Sequence, residues 1–441
     1  MLLQFTVENV LSFKEQAVLS LLAAPGVPHA PAQLIQRDGA PGVLRVAALY
    51  GPNASGKSNL FKALAFARNL IVEGRRPKQA IGVQPFKLDL GSWAKPSRFE
   101  FELMLDRTRW SYGFAATAQR VEAEWLFRDD GGEEVEWFRR SAEDGITVNP
   151  AAARDTERLQ FLRFIAEGTR AEQLFLTETL ERNAAELAPL VAWFRDELTL
   201  VEAGEEVAEL AGVLASNQGL NAFAANLMRS ANTGITGFGF QYPGHLYESA
   251  KKHLRDQSSY TMSELFSAMT LFSEPGDLVL LLQHIAPLPD GRSAAVSFGT
   301  SEESDGTLRL LHLAPALHRL QDPTASSLLF VDELDRSLHT LLTRHILAAF
   351  LSASGPAAGQ LLFTTHDTNL LDLTLLPRDS IWFVEKAPDG GSTLYSLAEF
   401  KGDQLNQLTG KLERGYLQGR FGAIPFLGDP ARLDWTPEGE E

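Results

Sequence analysis

One short stretch constrains this chain more than any other: "GPNASGKS" at residues 51–58. It fits the pattern G-x-x-x-x-G-K-[ST], directly after the apolar run "VLRVAALY" and directly before the helix-like segment "NLFKALAFARNLIV". Glycine at positions 51 and 56 allows backbone conformations that other residues avoid, so successive N–H groups can wrap around phosphates. The stretch predicts a strand, a phosphate-binding loop and a helix, which together open an α/β fold.

The residue types inside the loop indicate which ligand it binds. Lys57 places a point charge at the β and γ oxygens of a nucleotide, and Ser58 offers its hydroxyl to Mg²⁺. The positive end of the following helix faces the same anion. We therefore predict ATP and Mg²⁺ as cofactors. The predicted nucleotide-binding residues of the loop are Gly51, Pro52, Asn53, Ala54, Ser55, Gly56, Lys57, Ser58 and Asn59.

Two further apolar runs end in groups that can do chemistry. "LLFVDELDRSLH" ends a buried strand with Asp332 and Glu333, and "LLFTTHD" ends another with His366. Beside a phosphate loop, the first acid holds the metal and the second is placed to polarise an attacking water. Taken alone, the acidic pair would be a helix N-cap and His366 a capping histidine. Since parallel strands end at one edge of a sheet, we predict instead that Glu333 and His366 are catalytic and that Asp332 and Ser58 bind the metal.

Composition limits the class of protein. The chain has 441 residues, 44% of them hydrophobic and 22% charged, which is normal for a globular protein of more than one lobe. It has no cysteine, which removes disulfides and thiolate metal sites and suits a cytoplasmic protein. We expect neither a signal peptide nor a membrane span. The formal charge of −16 argues against a surface that grips nucleic acid throughout, although the basic loop "EGRRPK" (73–78) is a candidate DNA contact.

Changes in residue pattern along the chain predict four segments. Residues 1–150 form an N-terminal lobe with the phosphate loop and a strand meander between Phe86 and Phe138. Residues 151–230 are rich in Ala, Leu and Glu at helical spacing, which predicts a helical insertion. Residues 231–426 alternate strand and helix as a C-terminal lobe, and residues 427–441 form a flexible acidic tail.

A second anion site is predicted at "SEESDGTLRLLHLAPAL", about twenty residues before the acidic strand. Ser304 and Gly306 stand at the start of a helix, where a hydroxyl and free N–H groups face an anion. Because Lys57 already serves the phosphate loop of its own chain, this second site makes sense if two chains pair head to tail. Each chain would then close the nucleotide of the other.

Several motifs carry a family resemblance. "GPNASGKS", "ESDGT", "FVDE", "LDRSLH" and "TTHD", in that order, resemble the ATP-binding-cassette (ABC) ATPases of the RecF, Rad50 and SMC type. With "NVLSFKE", "FLTETLERN", "ANTGITG", "RDSIWFVEK" and "YLQGRFGAIPFL", they look closer still to the bacterial defence ATPases of the RloA and abortive-infection group. That group is related to the ATPase half of OLD-type nucleases. The resemblance implies an α/β phosphate-loop NTPase of ABC-ATPase head type.

The resemblance also implies roles for particular residues. Ser304 and Gly306 take the signature-motif role, His339 stands where cassette ATPases carry an acid, and residues 8–14 lie near the base and ribose of the nucleotide. Asn232 stands where the group has an acid. The glutamine that binds the metal in cassette ATPases is assigned to Gln84 in "IGVQPFKL", with an ordinary exposed loop residue as the alternative.

These observations predict an ATPase that forms a homodimer or higher oligomer through its ATP sites. The first hypothesis is that it powers or gates a separate effector, a nuclease, in anti-phage defence. The second is a RecF-like DNA-repair ATPase that binds DNA itself. The third is a scaffold that binds ATP with little turnover. Intact Lys57, Glu333 and His366 argue against the scaffold. No nuclease-sized segment follows Pro425, so the effector would be a separate protein.

Overall fold

The computed structural model describes residues 1–36, 41–129, 132–207, 209–241, 278–322, 326–352, 359–400 and 412–424. The predicted acidic tail, 427–441, lies outside these residues. No helix in the described ranges is long and apolar enough to cross a membrane.

The described residues form the following strands and α-helices. The strands are β1 (Leu2–Glu8), β2 (Ala17–Ser20), β3 (Leu34–Ile35), β4 (Val43–Leu44), β5 (Val46–Tyr50), β6 (Ser97–Leu105), β7 (Thr108–Ala116), β8 (Val121–Asp129), β9 (Glu134–Ser141), β10 (Gly145–Val148), β11 (Leu198–Val201), β12 (Gly237–Gln241), β13 (Val279–Pro287), β14 (Ser293–Gly299), β15 (Leu328–Val331), β16 (Gln360–Thr364), β17 (Ile381–Lys386) and β18 (Ser392–Ser396). The α-helices are Lys57–Glu73, Leu90–Trp93, Thr156–Gly168, Phe175–Glu181, Ala188–Ala192, Leu210–Ser216, Gln218–Ser230, Asp305–Arg319, Thr340–Ser352 and Leu412–Leu417.

Two large sheets organise the first part of the molecule. A seven-stranded sheet has the order β10-β9-β8-β7-β6-β1-β2, and its neighbouring strands pair antiparallel. It contains the strand meander that the aromatic alternation of "SRFEFELML" predicts. A six-stranded sheet has the order β11-β15-β16-β5-β17-β18, in which β15, β16, β5 and β17 are parallel. The parallel strands are buried on both faces, which explains their continuous apolar runs.

The phosphate-loop helix, Lys57–Glu73, packs between the two sheets. The rings of Phe61 and Phe330 on β15 lie 5.1 Å apart, edge to face. On the other side, the rings of Phe66 and Phe99 on β6 lie 5.5 Å apart. Residues from the helix and from both sheets form one continuous core, so the start of the helix is held rigidly beside the parallel strands.

The described residues fall into two compact units. The first is drawn from Met1–Leu200, Pro323–Glu333 and Leu347–Glu441, and the second from Val201–Asp322 and Leu334–Ile346. In the second unit, the three-stranded sheet β12-β13-β14 accompanies the helices Leu210–Ser216, Gln218–Ser230 and Asp305–Arg319. Residues 151–230 are mostly helical. Residues 151–200 belong to the first unit and residues 201–230 to the second.

The predicted fold class is confirmed. A strand, a glycine-bearing loop and a helix open a parallel sheet, and an antiparallel sheet packs on the other face of that helix. This is the α/β architecture of a phosphate-loop NTPase.

Candidate functional site

The phosphate loop connects β5 to the helix that begins at Lys57. Gly51 and Gly56 have φ angles of 156° and 118°, which side chains with a Cβ rarely adopt. A Cβ added to Gly51 would contact the carbonyl oxygen of Val384 on β17. One added to Gly56 would lie 2.7 Å from Oγ of Ser12. Both positions therefore require glycine, as the motif predicts.

Polar groups inside the loop fit a polyphosphate. The Nζ of Lys57 donates to the carbonyl oxygens of Gly51 and Pro52, at 2.7 and 3.2 Å, so the ammonium lies against the loop itself. Ser55 is 1% exposed, and its Oγ has no hydrogen-bond partner among the described residues. A buried hydroxyl without a partner is costly, and a phosphate oxygen would satisfy it. Backbone, ammonium and hydroxyl thus suit the phosphates of a nucleotide.

Two serines from opposite ends of the chain clamp the loop. The hydroxyl of Ser392, at the start of β18, donates to the carbonyl oxygen of Ser55. It also lies 2.8 Å from Oγ of Ser12 and therefore accepts the hydrogen of that hydroxyl. The backbone N–H of Ser392 donates to the carbonyl oxygen of Ser12 at 2.7 Å. We call Ser12 and Ser392 the serine clamp.

The acidic pair stands at the end of β15, as predicted. Asp332 is 6% exposed, and Glu333 is partly buried with a φ of 52°. Left-handed backbone is uncommon for a residue other than glycine, and such conformations cluster at functional sites. The hydroxyl of Thr364, at the end of β16, donates to Oδ1 of Asp332 at 2.6 Å and accepts from the N–H of Glu333 at 2.7 Å.

His366 follows β16 by two residues and is exposed. Because β16 pairs in parallel with both β15 and β5, the acidic pair, His366 and the phosphate loop all follow strands that end at one edge of the sheet. The turn after His366 is ordered by Asp367, whose N–H donates to Oγ1 of Thr365 at 2.9 Å. The N-cap of the short helical turn Thr368–Leu370 that follows is Asp367, whose side chain accepts from the N–H of Asn369.

A cleft of about 260 Å³ opens beside the start of the phosphate-loop helix. Its lining residues come from the N-terminal segment, that helix, the loop after it and the β17–β18 turn: Leu11, Ser12, Asn59, Gln84, Pro85, Phe86, Lys87, Leu88, Lys386 and Gly390. Leu11 and Ser12 belong to the segment expected near the base and ribose. Gln84 is exposed here, and its carbonyl oxygen accepts from the N–H of Leu11 at 2.8 Å.

The C-terminal segment 412–424 packs over the strand that enters the phosphate loop. The ring of Tyr416 lies 5.5 Å from Phe383 on β17, nearly parallel, and 6.3 Å from Tyr50, the last residue of β5. The hydroxyl of Tyr416 donates to the carbonyl oxygen of Ala423, and burial raises the pKa of Tyr416 to about 12. This packing gives the first residue of the segment "YLQGRFGAIPFL" a structural role.

The second unit contains Ser304 and Gly306, the residues predicted to take the signature-motif role. Ser304 is the N-cap of the helix Asp305–Arg319, and its Oγ accepts from the N–H of Thr307 at 3.2 Å. Just before it, Glu303 is held by Nε2 of His284, which lies 2.6 Å from Oε1 of that glutamate. The hydroxyl of Ser304 is thus placed at the positive end of a helix, as the sequence predicts.

Two departures from the cassette pattern have local explanations. Asn232 follows the helix Gln218–Ser230 and has a φ of 54°, a left-handed conformation that asparagine tolerates at a helix end. His339 precedes the helix Thr340–Ser352, and its Nδ1 accepts from the N–H of Leu341 at 3.2 Å. Each side chain therefore suits the helix end at which it lies.

Sequence reasoning did not identify Ser12, Ser392 or Thr364. Ser392 lies 337 residues from the carbonyl it binds, so no local pattern connects the two. The position of Thr364 could have been inferred from the strand pairing. If two apolar runs are parallel neighbours, the last residue of one lies beside the first acid that follows the other.

Fold and site together define a phosphate-loop NTPase. The model of the family described as "AAA domain, putative AbiEii toxin, Type IV TA system" matches residues 46–175 and 289–372, just under half of the chain. The first range contains the phosphate loop, and the second contains Ser304, Gly306, the acidic pair and His366. The match supports an ATPase of the AAA type.

The other comparisons add no closer assignment. No curated protein matches the chain significantly. Among solved structures, the SMC head domain from Thermotoga maritima is similar, with 13% sequence identity and a TM-score of 0.38 over 90% of this chain and 98% of that chain.

Proposed function

We propose that the chain is an ABC-type ATPase that binds and hydrolyses ATP with Mg²⁺, dimerises around the nucleotide, and powers or gates a separate effector. The observation that carries the proposal is the edge of the parallel sheet. There the phosphate loop, Asp332, Glu333 and His366 follow neighbouring strands. A protein that only bound ATP would need the loop but not the last two residues.

Each group at this edge has a distinct chemical task in the proposal. The loop N–H groups and Lys57 bind the β and γ phosphates, and the hydroxyl of Ser55 gains an acceptor there. Glu333 accepts a proton from the attacking water. His366, exposed at the same edge, contacts the γ-phosphate or that water. Phosphoryl transfer depends mainly on such positioning and charge stabilisation.

Mg²⁺ would be held by few protein groups. The described residues contain no group of three or more His, Cys, Asp or Glu side chains that could hold a metal ion. Mg²⁺ in phosphoryl-transfer sites is usually held by one or two protein oxygens together with phosphates and water. Ser58 and Asp332 suit that role, and the ion would neutralise charge on the phosphates. Gln84 is the third candidate ligand and lines the neighbouring cleft.

The dimer follows from the second anion site. Ser304 caps a helix whose positive end can face a γ-phosphate, and its own chain already has Lys57 in the phosphate loop. We infer that the Ser304–Gly306 segment of one chain closes the nucleotide of the other. ATP would then hold the two chains together, and hydrolysis would release them.

The proposed biological role is anti-phage defence in the cytoplasm, with a nuclease as the effector. It rests on the resemblance to the RloA and abortive-infection group, and the matching family description names a putative AbiEii toxin. A test is co-purification of the tagged chain with the products of neighbouring genes. Recovery of a nuclease whose activity depends on ATP would support the role. A chain that hydrolyses ATP but binds none of these products would contradict it.

A RecF-like protein that binds DNA is the second candidate. Its main support is the basic loop at 73–78. One basic side chain of this loop, Arg75, is however hydrogen-bonded within the protein. Nε and Nη1 of Arg75 donate to the carbonyl oxygens of Ile81 and Gly74, at 3.1 and 3.0 Å. Arg76 and Lys78 remain exposed. If ATP turnover rises in the presence of duplex DNA, and Arg76→Ala with Lys78→Ala removes the effect, the DNA-binding function is favoured. A scaffold would show binding without turnover.

A further inference from the structure

Thr364 links the two acids at the candidate catalytic edge. Its hydroxyl lies 2.6 Å from Oδ1 of Asp332 and 2.7 Å from the backbone nitrogen of Glu333. The residue is fully buried at the end of β16, with no measurable exposure. Thr364 therefore contacts both the carboxylate of Asp332, the proposed metal ligand, and the backbone of Glu333, the residue proposed to activate water.

The two partners of the Thr364 hydroxyl determine to which group it donates and from which it accepts. A hydroxyl has one hydrogen and can accept through its lone pairs. The N–H of Glu333 can only donate, so Thr364 accepts from it and gives its own hydrogen to Asp332. Serine could make both bonds. Valine, which has nearly the same shape, could make neither.

The two hydrogen bonds stabilise the backbone of Glu333 and the side chain of Asp332. Glu333 has a φ of 52°, which costs free energy for a residue with a side chain. A hydrogen bond to its N–H helps to hold this backbone, and with it the direction of the Glu333 side chain. A hydrogen bond to a carboxylate is stronger than one between neutral groups, so Asp332 is fixed in rotation as well.

We propose that Thr364 is a positioning residue for metal binding and water activation, acting through Asp332 and Glu333. The inference rests on the function proposed for those two acids. A displacement of about 1 Å at a reacting group can lower a rate by about 100-fold. Loss of the Thr364 hydroxyl should therefore reduce turnover while leaving the phosphate loop unchanged.

The test compares Thr364→Val with Thr364→Ser. Thr343→Val is the matched control, because Thr343 is also fully buried and its hydroxyl has no hydrogen-bond partner among the described residues. ATP affinity is measured in EDTA and in Mg²⁺, and ATP turnover is measured over a range of Mg²⁺ concentrations. We expect Thr364→Val to lose about 10- to 100-fold in turnover. It should also need more Mg²⁺ for half its maximal rate, with unchanged affinity in EDTA. Thr364→Ser and Thr343→Val should stay close to wild type.

The readouts separate this inference from the proposed function. If the wild-type chain binds ATP but does not hydrolyse it, the proposed function fails. The role of Thr364 is then tested by the increase in ATP affinity on adding Mg²⁺, because this binding measurement does not require hydrolysis. The inference is overturned if Mg²⁺ increases ATP affinity equally in wild type and in Thr364→Val. It is also overturned if the two proteins have equal turnover and need equal Mg²⁺ concentrations for half their maximal rate. If the valine variant does not fold, Thr364→Ala replaces it. If neither folds, Thr364 serves the fold and the positioning role is contradicted.

Discussion

The carbonyl oxygen of Ser337 lies so close to Gly306 that a Cβ at Gly306 would be 2.6 Å from it. Glycine is therefore required at 306 for packing within the second unit, whatever the residue does for a nucleotide. A substitution there would disturb the chain before it tested any role in the dimer. Ser304 is the better position, because its side chain is a helix N-cap and other caps can replace it.

Ser304→Asp and Ser304→Asn form a matched pair that differs in charge. Both residues are good N-caps, so both variants should fold. If Ser304 faces the triphosphate of a second chain, the aspartate adds a like charge about 4 Å away, which repels by several kcal/mol in a partly buried site. Ser304→Asp should bind ATP at its own loop but neither dimerise nor hydrolyse, whereas Ser304→Asn should keep more of both activities. Light scattering with ATP and Mg²⁺ measures the dimer.

Mixing provides the control for that prediction. Chains with Lys57→Ala and chains with Ser304→Asp should each be inactive, but their heterodimer keeps one intact site. The phosphate loop of this site comes from the second chain and the Ser304 segment from the first. Partial recovery of ATPase activity is expected. If heterodimers form and mixing restores nothing, the trans-acting role of Ser304 is unsupported.

Lys57→Ala should abolish ATP binding, because the phosphates lose the fixed cation of the loop. Lys62→Ala is the control, since Lys62 is exposed on the same helix. Isothermal titration with ATP and Mg²⁺ measures both. Affinity close to wild type in Lys57→Ala would show that residues 51–58 do not form the nucleotide site.

His366→Ala should lower turnover by about tenfold or more while ATP affinity stays within a few-fold, because the ring contacts only the γ end. His345→Ala removes another exposed histidine and should have no effect. Steady-state turnover and ADP and ATP affinities are the measurements. An equal loss of ADP and ATP affinity would indicate that His366 only stabilises the turn that follows it.

The serine clamp should contribute to affinity without touching the phosphates. Ser392→Ala removes the hydroxyl that binds the carbonyl oxygen of Ser55 and the hydroxyl of Ser12. A hydrogen bond contributes about 1 kcal/mol, so ATP affinity should fall by about fivefold. Ser396→Ala, on the same strand, controls for general effects on β18. Unchanged affinity in Ser392→Ala would show that the loop holds its shape without the clamp.

The position of the site at one edge of the parallel sheet could be predicted from the sequence, because each strand is followed closely in the chain by its functional residues. Each of β5, β15 and β16 is a short apolar run followed at once by the functional residues, so the end of the strand marks their position. Parallel strands expose the same end at the same edge. The strand pattern thus predicts that Glu333 and His366 follow neighbouring strands at the same edge of the sheet.

What depends on tertiary packing could not be predicted in this way. The helical pattern of residues 151–230 does not say against which core each helix packs. Phe194 stacks edge to face on Phe101 of β6 in the first unit, at 4.9 Å. Phe223 stacks on His318 in the second unit, at 5.3 Å. The boundary between the two units near Leu200 depends on contacts between residues that are far apart in the sequence. The serine clamp depends on contacts of the same kind.

Release of phosphate in a single turnover, compared between wild type and Glu333→Gln, tests the central claim most directly. The amide has the shape of the carboxylate but cannot accept a proton from water, while Lys57 and Asp332 are untouched. Both proteins should bind ATP with Mg²⁺ equally well. The wild type should release phosphate, and Glu333→Gln should release it about 100-fold more slowly or not at all, remaining dimeric with ATP bound. Equal release by the two proteins would show that Glu333 is not the base and that the acidic edge is not a catalytic site.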